Sequence, residues 1–218
     1  TPKHRGGSIP MPYRARRGVR PFVELGLGAW AAGAALASLA TGLPEHGWDT
    51  LAIQLPVASA SAPTREWDAL IPEAGPRISA ALDFLRQRNQ LNVVLIAHSM
   101  GARMATRYLS GQAASGIQAV VLISLPVRGM DRTTGPLAEL RQIRLPVLDL
   151  FGQHDLRSVL RSAKERRLAA RDAGNEAYSQ VKVPDTDHFF AGADTLLVQR
   201  VRAWLARVAS GGEVPLER

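Results

Sequence analysis

Short apolar runs recur along the chain, each parted from the next by a turn or by a segment of helical periodicity. Residues 93–97 and 119–124 are apolar almost throughout, as expected of strands buried on both faces of a parallel sheet. Residues 47–56 read as a turn and a further buried strand, and 147–151 as another. Residues 177–183 alternate enough to lie near a sheet edge. Between them, 77–88 places Ile78, Ala81, Leu82 and Leu85 on one helical stripe, and 194–209 does the same with Leu197, Val201, Trp204, Leu205 and Val208. Helices are also expected at 101–109 and, strongly basic, at 158–173. The Ser/Ala/Pro-rich stretch 57–65 reads as a loop. Residues 127–145 form a short excursion with a turn of helix near 137–143, too brief for a large lid. This alternation predicts an α/β domain over 21–209, a doubly wound, mostly parallel sheet with right-handed crossovers.

The amino end admits two readings. Residues 1–20 are rich in Arg, Gly and Pro and lack periodicity, so they read as a loose basic tail; 210–218 read as a polar one. Basic residues, an apolar run and Ser38-Leu39-Ala40 together mimic a secretory signal. Glu24 and three glycines interrupt that run, and a strand at 22–25, a turn at 26–28 and a helix at 30–43 fit the sheet better. Removal of the segment would take away a strand that the fold needs. A cytoplasmic location is accordingly expected over a periplasmic one. Thr1, not a methionine, opens the sequence, which leaves its true start open.

Composition narrows the chemistry. The 218 residues contain no cysteine, which excludes disulfides, thiol catalysis and cysteine-bound metal. The five histidines show no metal-ligand spacing, so neither a metal nor another cofactor is expected. The formal net charge of +8 permits contact with anions. Most of that charge is arginine scattered along the chain, which reads as solvated surface. No aromatic-basic motif points to nucleic acid, and a weak anionic-surface contact would fall to the basic tail.

The chemistry gathers at strand ends. Ala97-His98-Ser99-Met100-Gly101 joins the strand at 93–97 to the helix at 101–109 and fits G-x-S-x-G with Ala at the first position. So tight a turn strains its central residue and requires nearly side-chain-free neighbours two positions away. It presents the serine hydroxyl at the carboxyl end of the sheet and aims helix amides at the same point. The Met100 amide is therefore a candidate oxyanion donor. A serine hydroxyl needs a base, and a histidine base needs an acid to fix its tautomer. Asp155 and His188 also sit in the connections just after predicted strands. Asp155 could instead cap the helix after it, and Asp185 and Asp187 are rival acids within the loop that presents His188. His98 is expected to pack or hydrogen-bond beside the elbow, and His154 to be a spectator.

Taken together, these segments resemble the α/β-hydrolase superfamily over roughly residues 43–208. The chain is most similar to a bacterial branch of it catalogued as a domain of unknown function. The likeness is carried by 47–56, by Pro72-Glu73-Ala74-Gly75-Pro76-Arg77-Ile78, by the elbow with Gly101-Ala102-Arg103-Met104, by Gly152-Gln153-His154-Asp155, and by His188. It implies the fold, in the chain order serine, acid, histidine, and a triad of Ser99, Asp155 and His188. The amino end departs from the pattern, since the first two strands of the usual sheet are absent or unreadable. The His-Gly that usually supplies a second oxyanion amide is also missing before residue 46. Gly26-Leu27-Gly28 lies at a suitable distance upstream, which makes Leu27 the candidate donor.

The function this implies is a serine hydrolase acting on a small-molecule carboxylic ester or thioester through an acyl-enzyme, at an open site. The alternative is a catalytically impaired, ligand-binding relative that has lost the oxyanion segment.

Overall fold

Apolar runs and amphipathic segments alternate in space as they do in sequence. The computed structural model describes residues 20–26, 33–59, 61–111 and 116–209. Along these come β1 (Arg20–Gly26), α1 (Gly33–Gly42), β2 (Trp48–Gln54), α2 (Thr64–Ala69), α3 (Ala74–Arg86), β3 (Val93–His98) and α4 (Met100–Leu109). There follow β4 (Ile117–Ile123), α5 (Gly135–Leu140), β5 (Val147–His154), α6 (Arg157–Asp172), β6 (Tyr178–Asp187) and α7 (Asp194–Val208).

These strands form one sheet in the order β2-β1-β3-β4-β5-β6, with every pairing parallel. The chain lays β2 on one side of β1 and then returns to lay β3 on the other. The carboxyl ends of β1 and β3 thus flank a topological switch point, where open α/β sheets form their ligand crevice. The segment at 20–26 is a working part of this sheet, with Val23 paired to Leu51 on one side and Leu95 on the other. The expected tail at 1–20 contributes Arg20 to β1; its other residues, and 210–218, lie outside the described residues.

A strand buried at every residue must be covered on both faces, and β3 is such a strand. Val93, Leu95 and Ala97 pack with Ile78, Leu82 and Leu85 of α3, Met104 of α4 and Leu137 of α5. Val94 and Ile96 face the other way, onto Leu36 and Leu39 of α1 and Leu197, Val201 and Trp204 of α7. A register shift between Val93 and Val94 lets Ile117 and Ala119 face opposite layers despite their two-residue spacing.

Several boundaries differ from the sequence reading, and proline accounts for two of them. The short helix α2 starts at Thr64, inside the expected 57–65 loop, and a 3-10 turn at Ile71–Glu73 leads straight into α3. Helix α3 starts at Ala74, before the expected position at 77, because Pro76 falls in its first turn, where no intrahelical donor is lost. Strand β6 runs through Pro184 to Asp187, which an edge strand permits. Between the pairs Gly152–Val183 and His154–Asp187, one residue of β5 faces three of β6. At Gly152 the backbones press so close that a Cβ would lie 2.5 Å from the carbonyl oxygens of both Thr186 and Asp187. Strand β5 likewise extends to His154, past the expected end at 151.

The basic helix also departs from expectation. Arg166 is wholly buried, not solvated. Its Nε donates to Asp149 Oδ2 at 2.8 Å and its Nη1 to the Val159 carbonyl at 2.8 Å, while Tyr178 and Gln180 also donate to Asp149. Burial alone would lower the Arg166 pKa; the charge and hydrogen bonds of Asp149, with a contribution from Tyr178, together raise it. The network fastens α6 to β5 and β6. Arg166→Met leaves the Asp149 carboxylate buried without its counter-charge and should cost about 3–5 kcal/mol in urea unfolding. A loss below about 1 kcal/mol would show that the pair does not anchor the helix.

Candidate active site

Three strand ends converge on one point. Ser99 follows β3, Asp155 follows β5 and His188 follows β6. Ser99 adopts φ 54° and ψ −121°, outside every region comfortable for a residue with a side chain. That strain costs about 1–3 kcal/mol and persists because the surroundings fix both flanks. The Ser99 amide donates to the Ile123 carbonyl at 2.9 Å, and its carbonyl accepts from the Arg103 amide at 3.1 Å. Ala97 and Gly101 are buried on either side.

The half-buried Ser99 hydroxyl stands 2.9 Å from His188 Nε2, and His188 Nδ1 stands 2.6 Å from Asp155 Oδ1. With Nδ1 protonated and donating to Asp155, Nε2 is left as an acceptor for the serine proton. Asp155 is buried but well partnered. Its Oδ1 also accepts the Leu156 amide at 2.7 Å, and its Oδ2 accepts the Ser124 hydroxyl at 2.5 Å and the Gly152 amide at 3.2 Å. Burial alone would raise its pKa, but the hydrogen bonds from His188, Ser124 and Leu156 outweigh this and hold the carboxyl below its ordinary value. Asp155 therefore stays charged at neutral pH. It is not a side-chain cap of α6, whose N-cap is Leu156.

The rival acids sit elsewhere. Asp187 is exposed and accepts the Phe189 and Ala191 amides at 2.9 and 3.2 Å, which shapes the loop around His188. Asp185 is exposed at φ 51°. His154 is exposed on β5. Met100 opens α4, so its amide is among the first four, which have no acceptor within the helix. Leu27 lies outside the described residues, although Leu25 pairs with Ala97 and brings the end of β1 beside the elbow. Among the described residues no group of His, Asp or Glu is arranged to hold a metal ion, and no helix is long and apolar enough to cross a membrane.

Two buried residues support the site: Ser124, which sequence reasoning did not single out, and His98, which it placed beside the elbow without a named partner. Ser124, at φ 53° just past β4, anchors the free side of Asp155; its only sequence signal was a polar residue closing an apolar strand. His98 has the more specific position. Its Nε2 donates to the His188 carbonyl at 2.8 Å, and the two rings lie 4.9 Å apart. A link from the elbow strand to the His188 backbone thus runs through an imidazole.

A strained serine between a buried strand and a helix, hydrogen-bonded through histidine to an aspartate, on a parallel sheet in this order, defines an α/β-hydrolase architecture. The model of the family described as protein of unknown function (DUF3530) matches residues 74–207, more than half of the chain, and the chain belongs to that family within the α/β-hydrolase superfamily. No curated protein matches the sequence. Among solved structures, TT1662 from Thermus thermophilus superposes with a TM-score of 0.72 at 15% identity, covering 88% of this chain and 90% of that one. Est1E from Butyrivibrio proteoclasticus gives 0.71 at 12% identity, over 92% and 93%. A dienelactone hydrolase from Anabaena variabilis gives 0.63 at 20% identity, over 88% of each chain. At such identities the likeness establishes the fold.

Burial lowers the His98 pKa from 6.5 to about 4, against the hydrogen bond to the His188 carbonyl, which raises it. Because the folded value is the lower one, the unfolded chain takes up the proton first as pH falls. Stability is therefore complete above 6.5 and drains away between 6.5 and about 4. Over that window the loss should reach about 3 kcal/mol. Urea midpoints at pH 7 and pH 5 should differ clearly more for wild type than for His98→Gln, which keeps a donor but cannot titrate. Equal differences would place His98 outside the acid response.

Proposed function

We propose that the protein is a serine hydrolase that cleaves a small-molecule carboxylic ester or thioester through an acyl-enzyme. The observation that carries this reading is the continuous hydrogen-bonded path from Ser99 Oγ through both nitrogens of His188 to Asp155. Esterases among the structures of the same fold are consistent with it.

In the proposed reaction, Ser99 Oγ attacks the acyl carbon while His188 Nε2 takes its proton. Asp155 stays ionised, holds the imidazole in the tautomer that accepts at Nε2, and stabilises the imidazolium. The carbonyl oxygen becomes an oxyanion facing the Met100 amide, with the Leu27 amide as the second donor. Each such donor stabilises the transition state by about 2.7–4 kcal/mol. The tetrahedral intermediate collapses when the bond to the leaving oxygen or sulfur breaks and His188 passes the proton to that atom. Water then repeats the sequence on the acyl-enzyme, losing its proton to His188, and the acid leaves with Ser99 restored. No metal or other cofactor is called for. The contact of the basic tail with anionic surfaces, expected from sequence, concerns residues outside those described.

Labelling with a fluorophosphonate tests the reading without knowledge of the substrate. Native protein should be labelled at Ser99, heat-unfolded protein and Ser99→Ala should not, and Asp155→Asn should turn over an activated short-chain ester on the order of 10⁴-fold more slowly. Folded wild type that takes no label and cleaves no ester would favour the ligand-binding alternative.

A further inference from the structure

We infer that the acyl portion of the substrate carries a carboxylate, held by Arg107 and Arg128. The inference rests on Ser99 being the nucleophile. A cleft of about 360 Å³, in the range of small-molecule sites, opens beside Met100, the residue next to Ser99. Met100, Arg103 and Arg107 line it from α4 at spacings that share one helical face. Asp68 of α2 lines it too, as do Arg128 and Glu139 from the segment after β4.

Arg103 donates from both terminal nitrogens to the two oxygens of Glu139, and these side chains are only 14% and 7% exposed. That pair is internally satisfied and cancels as floor. Arg107 and Arg128 are different. Their side chains are 59% and 52% exposed, and the nearest carboxylates, Glu139 Oε1 and Asp68 Oδ1, lie 3.9 Å away in both cases, beyond hydrogen-bond reach. Each guanidinium presents five donors in a fork that matches a carboxylate. Three arginines against Asp68 and Glu139 leave the lining one positive charge in excess, which a single carboxylate balances better than a dianionic phosphate.

The direction of the substrate follows from the proton path. The carbonyl oxygen must meet the Met100 amide, and the leaving atom must reach His188 Nε2. Neither the connection bearing Asp155 nor the one bearing His188 lines the cleft. The leaving group therefore lies toward His188, where Phe189 packs edge-on at 5.1 Å and Leu156 is exposed. The acyl chain runs into the cleft toward the arginines.

The test compares the 4-nitrophenyl monoester of adipic acid with 4-nitrophenyl hexanoate, which has the same chain length and no charge. Wild type should show about fivefold higher kcat/KM for the adipate, the factor that about 1 kcal/mol from exposed ion pairs supplies. In Arg107→Gln/Arg128→Gln that ratio should fall to about one. A parallel arm reads binding alone, by calorimetry of Ser99→Ala with monomethyl adipate against methyl hexanoate, where the same preference is expected. Preference in binding without turnover of either ester would keep the anion site and overturn the hydrolase reading. Turnover with a ratio of one or less in wild type, or a preference that survives the double substitution, would overturn the anion site and leave the hydrolase reading intact.

Discussion

The carboxylate of Asp155 is where the parts of this site are tied together. Its two oxygens receive the His188 imidazole, the Ser124 hydroxyl and the amides of Gly152 and Leu156. Those donors come from the ends of β4, β5 and β6 and from the entry to α6. A buried carboxylate is costly unless its lone pairs are met, so each donor both stabilises the charge and is held in place by it. Hydrogen bonds to a charged group contribute about 1.5–3 kcal/mol apiece. The position of His188 against Ser99 is thereby set by the strand ends, not by the loop that carries it. Gly152 is the steric condition for this, since only a residue without a Cβ lets β6 ride over β5 closely enough.

On the other side of the imidazole the constraint is backbone strain. Ser99 is driven into a disfavoured conformation by the passage from β3 directly into α4, and the hydrogen bond from its amide to the Ile123 carbonyl prevents relaxation. His98, one residue earlier, points back and grips the His188 backbone. Strand and helix therefore fix the serine, while the neighbouring imidazole and the carboxylate fix the histidine. The two halves of the proposed proton path are held independently of any substrate, which is the preorganisation that electrostatic catalysis needs.

How much of this was legible in the sequence depended on whether the cause was local. The elbow could be read because its steric demands fall within Ala97–Gly101, and the strands because burial on both faces leaves an apolar signature. Asp155 and His188 could be singled out because each lies in the connection just after an expected strand. Ser124 could not, because its role arises from a neighbour thirty-one residues away and its own surroundings resemble any strand exit. Arg166 looked like one more charge on a basic helix. Only the tertiary fold shows it closing onto Asp149. The continuation of β6 through Pro184 was hidden by a rule sound for central strands and relaxed at an edge. The second oxyanion donor, assigned from sequence to Leu27, falls outside the described residues.

The central claim is that His188 moves the Ser99 proton, and the pH dependence of kcat/KM for an activated short-chain ester tests it most directly. The account requires a rate that rises with pH along a single ionisation as the imidazole becomes neutral. In His188→Ala the limb should vanish and the rate should fall to near background while the fold is retained. A His188→Ala protein that keeps both the limb and most of the rate would contradict the account.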